Sequence, residues 1–342
     1  MVRIAVLTGQ QRARLSGPGL SVQPLAEGRE RAAAAGGEAE ASLAGGELAV
    51  DGALAGAPAA VFRAEGPIRL GALSLPGEVE VRLGTTGLDV ILALPMEDYV
   101  AAVVEAEMPL AFPPEALKAQ AVAARSFALY RKLEALAEGR SWHLGATVLD
   151  QVYRGGRDPR ARASVAATAG EVLALDHEPV QAFFHSACGG RTEGGGDALG
   201  KELPYLAPVR CTRCQKAPRW RWTATMDAGE LGRLVGLGGP VTSARVAARS
   251  ATGRAAAVAF AGGKGKVQLA GADLRQRLGW DRLPSLAFDV HLGRGGVRFE
   301  GSGSGHGAGL CQWGAAGYAR EGRDYRTILA HYYRGAEVVR MY

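Results

Sequence analysis

Long apolar runs are missing from this chain. No window holds the ~18 or more consecutive apolar residues that a membrane-spanning helix needs. The first residues also lack the basic, apolar and small-residue order of a signal peptide, and Met1 leads straight into a strand-like run over residues 2–7. As written, the chain reads as cytosolic, or as a form whose leader has been removed. Cysteine is scarce, with four in 342 residues, which excludes a disulfide-built scaffold. Basic residues exceed acidic ones only mildly, 40 against 34 for a net charge of +6. Without a polybasic block or a basic–aromatic stripe, that excess argues against nucleic acid as partner and leaves room for another polyanion. No His-Glu-x-x-His occurs, so a zinc hydrolase built on that motif is excluded.

What is present is material for a sizeable core, since 47% of residues are hydrophobic and 22% charged. Residues 1–90 read as a β-rich N-terminal lobe. Short apolar runs at 2–7, 48–50, 79–83 and 90–94 are separated by Gly and Pro turns, with Phe62 as the single aromatic residue. From Pro95 the texture changes. Pro95-Met96-Glu97-Asp98 supplies a helix start with acidic residues in its first turn, Pro109 stops that helix, and Pro113-Pro114-Glu115 opens a longer one to about Leu136. Leu117, Ala121, Ala124 and Ala128 make a stripe of small residues on it, while Lys118 and Arg125 share another face. A helix at 228–235 and strands at 172–175, 180–184, 244–248, 255–260 and 288–292 follow, then a glycine-rich loop at 301–309 and a last helix. The expected class is α+β: mixed helices and antiparallel strands around a substrate cleft. The expected division is 1–90, then a domain over 91–342 with a β-rich insertion at about 225–300.

The carboxylate to watch is in Glu105-Ala106-Glu107-Met108-Pro109. A glutamate at a helix end is ordinarily solvated. Here Met-Pro-Leu-Ala-Phe-Pro-Pro follows Glu107, a stiff apolar wall that would desolvate the acid and raise its pKa, as a general acid near neutral pH requires. His306 lies in Gly305-His306-Gly307-Ala308-Gly309, where glycines allow close approach of backbone to a ligand. No Lys-Ser/Thr follows that run, so a nucleotide site is rejected. His306 and Gln312 are candidate hydrogen-bond donors to a ligand, with Tyr153 and Gln151 in second rank. Lys118 and Arg125 suit either an acidic group of a ligand or a salt bridge. His185-Ser186-Ala187-Cys188 and Cys211-Thr212-Arg213-Cys214 together offer His185, Cys188, Cys211 and Cys214 as two pairs of N/S ligands for a closed, structural tetrahedral zinc. A Cys188–Cys211 disulfide, or reduced buried thiols, are the alternatives. Cys311 reads as a small buried apolar residue.

Several phrases carry a likeness. Leu94-Pro95-Met96-Glu97-Asp98-Tyr99-Val100, the Glu107-Met108-Pro109 triplet, and Pro114-Glu115-Ala116-Leu117-Lys118-Ala119-Gln120 through Arg125-Ser126 resemble the signature of the SpoIID/LytB family. Asp150-Gln151-Val152-Tyr153-Arg154-Gly155, then Phe184-His185-Ser186-Ala187-Cys188-Gly189-Gly190, Leu203-Pro204-Tyr205-Leu206, Ser250-Ala251-Thr252-Gly253-Arg254, and Gly305-His306-Gly307-Ala308-Gly309-Leu310-Cys311-Gln312-Trp313-Gly314 follow in the same order. The likeness spans roughly residues 90–340. It implies peptidoglycan glycan strands as substrate and lytic transglycosylase chemistry at the muramic acid–glucosamine bond, with Glu107 as acid/base by its place in the motif. It implies no catalytic cofactor, a structural zinc near the cysteines in some members, and the cell envelope or exterior as location. A non-catalytic wall-binding module that enhances a cell-wall amidase is the alternative within the same family.

Overall fold

Apolar residues recurring along short extended segments set the first layer. Val2–Gln10 buries Val2, Ile4 and Ala5 and pairs antiparallel with Leu88–Leu94, Val2 opposite Leu94. The computed structural model describes residues 1–26, 32–146, 158–263 and 265–342. In it, this pair lies in a seven-stranded sheet ordered Leu144–Gly145, Val2–Gln10, Leu88–Leu94, Glu78–Leu83, Ala59–Arg63, Ser21–Pro24 and Ala32–Ala33. Within this sheet, among the described residues, only the pairing of Val2–Gln10 with Leu144–Gly145 is parallel. A six-stranded antiparallel sheet accompanies it, with Arg12–Ser16 and Glu38–Ala44 at its centre. The mixed α+β class expected from the sequence is the one observed, with a β-rich N-terminal part. Its core is not separate, however. Leu15, Phe62, Val79 and Leu92 belong to the same packed cluster as Tyr99, Val122 and Leu329.

Prolines set the helix boundaries near Glu107. Helix α1 (Met96–Glu107) starts after Pro95 and carries Glu97 and Asp98 in its first turn, against the positive end of its dipole. It ends because Pro109 disfavours helical backbone at the residue before it, and Met108 is extended (φ −122°, ψ 140°). Helix α2 (Pro114–Ala137) has Pro114 at its first position, where the missing N–H costs nothing. Leu117, Ala121, Ala124 and Ala128 are all buried. Their small size lets α2 run through the middle of the molecule, against α1, helix α3 (Pro159–Ala166), the helices Gln312–Arg320 and Tyr325–Tyr332, and strand Glu171–Leu175.

A second core lies within residues 226–299 and includes Leu231, Val258, Phe260, Leu274 and Phe299. Two three-stranded antiparallel sheets and the helices Ala228–Val235 and Gly271–Leu278 build it. The first of these helices has local causes at both ends. The Asp227 carboxylate accepts from the N–H groups of Gly229 and Glu230, and Gly236 closes it in the left-handed region.

Arg125 is fully buried. Its guanidinium donates to both Glu97 carboxylate oxygens at 3.0 and 2.6 Å and to the Glu171 carbonyl at 2.9 Å. Arg125→Ala orphans that carbonyl and takes two donors from Glu97, which is about a third exposed and keeps the Gly170 N–H and the Tyr342 hydroxyl, so a loss of about 2–3 kcal/mol is expected. Urea unfolding measures it, and a loss below about 1 kcal/mol would contradict this account.

Candidate functional site

Glu107 is the last residue of α1 and is half-buried. It lines a cleft of about 540 Å³. The cleft is walled by Phe127 of α2, by Phe183 and Phe184, and by His306 of the glycine-rich loop. The rings interlock edge to face, Phe127 with Phe183 at 5.5 Å and Phe183 with His306 at 6.0 Å between centroids. Ser186 and Ser304 add hydroxyls to the lining. The rest of the lining includes Arg275, Trp280 and Asp281 of the part built on the 226–299 core, the second lobe, and Arg219 on the segment leading into it. Glu107 and His306, picked from separate motifs, are thus brought to one cleft.

His306 does not have the role expected of it. One ring nitrogen, Nδ1, accepts from the Ala308 N–H at 3.2 Å, and Nε2 lies 2.8 Å from the Phe184 carbonyl, so the neutral Nε2–H tautomer satisfies both. Neither nitrogen is spare for a sugar hydroxyl. The ring holds the loop and offers its edge as wall. Glycine is required beside it, because a Cβ on Gly305 (φ 108°) would lie 2.7 Å from His185 Cβ. Burial holds the His306 imidazole down at about 4. His143, buried elsewhere with Nδ1 accepting from the Arg3 N–H, is likewise lowered to about 4, by burial first and then by Lys132 and Arg3.

A depressed histidine pKa stabilises the folded state fully above the unfolded value of about 6.5, and that stability drains away as the pH falls toward 4. From pH 7 to pH 5, His143 alone should therefore cost about 2 kcal/mol. Urea midpoints at the two pH values, compared between wild type and His143→Asn, test this. An equal acid loss in both proteins counts against it.

The other expected ligand contacts lie elsewhere. Arg125 is locked in the core by Glu97 and cannot reach a ligand. Lys118 pairs with Glu115 at 2.7 Å and lies 5.9 Å from the Tyr325 ring centroid, beside a separate small pocket with Phe112 and Arg160. Gln312 is buried and donates to Gln120 Oε1 at 3.3 Å, joining two helices instead of facing the cleft. Gln151 and Tyr153 lie outside the described residues.

Trp280 is a residue the sequence reading passed over. It is 47% exposed, unusual for so large an apolar side chain. The Arg275 guanidinium lies 4.5 Å from its ring centroid and is itself held by the Leu283 and Pro284 carbonyls at 2.9 and 2.7 Å. The ring is therefore a braced platform facing the cleft. No local pattern marks it, since only the lobe's position turns it toward Glu107. Asp281, the next residue, is exposed and ion-paired with Arg219 at 3.1 Å.

The cysteines also differ from expectation. Cys188, Cys211 and Cys214 do converge, but the fourth member is Cys311 and not His185. All four sulfurs lie within 4.8 Å of one another, buried and unoxidised, with Cys188 and Cys214 at 3.5 Å. His185 turns its Nδ1 to the Ala308 carbonyl at 3.0 Å. Hydrogen bonds from neighbouring sulfurs, Cys188 first, push the Cys211 and Cys214 thiols down. A hydrogen bond to Cys211 pushes Cys188 up, and burial pushes Cys311 up. The four cannot all ionise without a compensating cation. Four thiolates at this spacing fit a tetrahedral divalent ion, and with no open position such an ion would be structural.

Against known proteins, a family model described as Stage II sporulation protein matches residues 84–175. Over 264 residues the chain is 34% identical to Stage II sporulation protein D of Bacillus amyloliquefaciens, covering 72% of this chain and 74% of that one. It is 31% identical over 262 residues to the protein of the same name in Bacillus subtilis, covering 72% and 74%. An amidase enhancer of Bacillus subtilis is 27% identical over 290 residues, which cover 68% of this chain and 39% of that longer protein.

Proposed function

Because this chain belongs to the SpoIID family, we propose that it acts on the bacterial cell wall, cutting peptidoglycan glycan strands by lytic transglycosylation with Glu107 as acid and then base. The observation that carries this reading is Glu107's position at the negative end of α1 and at the rim of an aromatic-walled cleft shared with Trp280. The proline-stopped helix fixes that carboxyl group beside an aromatic wall, which suits a group that must meet a glycosidic oxygen in one geometry.

In the first step the Glu107 carboxyl gives its proton to the bridging oxygen as the bond from muramic acid C1 breaks. The glucosamine side leaves with a hydroxyl, and the positive charge that develops at C1 faces the new carboxylate. In the second step that carboxylate takes the proton of the muramic acid's own C6 hydroxyl, whose oxygen bonds to C1 and closes the anhydro ring. Glu107 ends protonated and no water is consumed. Hydrolysing glycosidases need two carboxylates flanking the bond. Among the described residues, Asp281 is the other carboxylate lining this cleft, and its exposure and its Arg219 partner suit binding better than proton abstraction. Mass spectrometry of products from purified glycan strands tests the reading. Anhydro-muramic ends support it, whereas reducing muramic ends would make the enzyme a muramidase.

Ser186 and Ser304 take over the hydrogen-bonding task expected of His306 and Gln312, and Trp280 offers a free ring face to a pyranose. Trp280→Ala should raise KM about tenfold, the equivalent of one lost aromatic contact, with little change in kcat. Steady-state rates on soluble glycan fragments measure this, and an unchanged KM would remove Trp280 from the site.

Zinc, held by Cys188, Cys211, Cys214 and Cys311, would supply a crosslink and no chemical step. The relative named an amidase enhancer favours a second reading, a wall-binding module that assists an amidase. Protein that sediments with peptidoglycan, releases no sugar fragments and binds equally well as Glu107→Gln would decide for it.

A further inference from the structure

Beside the Glu107 cleft lies a second concavity of about 610 Å³, bordered by Arg191, Arg221, Arg249 and Arg254 and by Asp289 and Glu300. Some of these charges are already matched. Arg249 is ion-paired with Asp289, Glu300 with Arg298 at 2.8 Å, and Arg254 lies 3.8 Å from Glu193. Arg191 and Arg221 are exposed, and among the described residues neither has a carboxylate partner; Arg221 lies over the Trp220 ring at 5.5 Å. Behind them Arg254 is 4% exposed and keeps its Nη1 without a hydrogen-bond partner.

This concavity and the Glu107 cleft are neighbours. Three chain segments line both with residues two positions apart, namely Ser186 and Cys188, Arg219 and Arg221, and Ser302 and Ser304. Two residues of chain reach at most about 7 Å. The two concavities therefore adjoin, and a strand leaving the Glu107 cleft on that side enters the arginine-lined one.

We propose that this arginine-lined concavity is a carboxylate-binding subsite for an acidic group carried by the same strand, which rests on the glycan-cutting reading above. Every muramic acid bears a lactyl group that ends either in a free carboxylate or in a peptide with carboxylates of its own. A guanidinium fork matches such a group with two parallel hydrogen bonds, whereas a neutral pyranose leaves the charge unanswered.

The test is an NMR titration of the full chain with N-acetylmuramic acid, with muramyl dipeptide and with neutral tri-N-acetylglucosamine, following the Trp222 indole N–H. In the double variant Arg191→Ala/Arg221→Ala at least one acidic probe should bind about tenfold or more weakly, as expected for a lost charge-assisted hydrogen bond. The neutral trimer should bind as before. Arg191→Lys/Arg221→Lys should recover part of the loss. Whichever acidic probe is affected identifies the source as the lactyl group or the peptide. The proposal is overturned if both acidic probes bind the alanine variant as tightly as wild type, or if the neutral trimer is weakened equally. It is also overturned if, in a parallel titration with glycerol phosphate, only that probe depends on the arginines. Its fate separates from that of the parent reading. Arginine-dependent binding without anhydro products leaves the subsite and removes the lyase. Anhydro products with arginine-independent binding do the reverse.

Discussion

Glu107→Gln should release glycan fragments at least a thousandfold more slowly than wild type while folding and binding glycan as wild type does. The amide keeps the shape of the acid but can neither give a proton to the bridging oxygen nor take one from the muramic hydroxyl. General acid–base catalysis is worth about 10²–10⁴-fold at each use, and here both proton transfers fall to one side chain, so both are lost together. Glu107→Asp keeps the chemistry but withdraws the group by one methylene, and a misplacement of about 1 Å costs roughly a hundredfold. Glu105→Gln is the control. Its carboxylate accepts from the Asp158 N–H at 2.8 Å and ties α1 to the start of α3, so activity should stay within a few-fold of wild type. Product analysis by mass spectrometry reads all three variants, and more than a tenth of wild-type activity in Glu107→Gln would end the assignment.

The second large effect concerns the thiols. Protein purified under reducing conditions should carry one equivalent of zinc, and Cys311→Ala should lose that metal and much of its thermal stability. Apparent binding energies of structural zinc sites are about 10–16 kcal/mol at neutral pH, and that energy is available to folding. The four sulfurs come from three separated stretches: after strand Phe184–His185, in the approach to the second lobe, and at the cap of helix Gln312–Arg320, where Cys311 Sγ accepts from the Gly314 N–H. Releasing the ion unties all three, including the loop that carries His306. His185→Ala separates the four-thiol set from the pattern expected in the sequence. It should keep its zinc, by elemental analysis, because the four sulfurs form the cluster without any His185 nitrogen. Loss of zinc in that variant, with Cys311→Ala still loaded, would restore the histidine to the site.

Some of this molecule could be read directly from residue order. The ends of α1 and α2 follow from Pro95, Pro109 and Pro114, and the helix Ala228–Val235 from Asp227 and Gly236. Two further helices had signals that went unread. Asp158 before Pro159 starts α3, and Asp324, accepting from the Thr327 N–H, starts Tyr325–Tyr332. Glu107 stood out because the proline that stops α1 is next but one to it. Arg125 does form a salt bridge, one of its two readings, but in the core and not at the surface. Spacing puts it on one face with Lys118, but burial depends on what packs against that face, and there Glu97 comes from α1 and the Glu171 carbonyl from a strand.

Residue order alone determined the helix ends, the strand segments, the carboxylate at the α1 terminus and the glycines around His306. Each of these depends on bonds and steric limits between residues a few positions apart. Only the tertiary structure decided that Cys311 joins thiols about a hundred positions earlier, that Trp280 faces Glu107 from another lobe, and that Arg191 and Arg221 border one concavity. Such groups meet because packing of the two cores closes long stretches of chain and overcomes the entropy of doing so. A carboxylate's motif can be recognised in one dimension, but the walls that give it a substrate exist only in three.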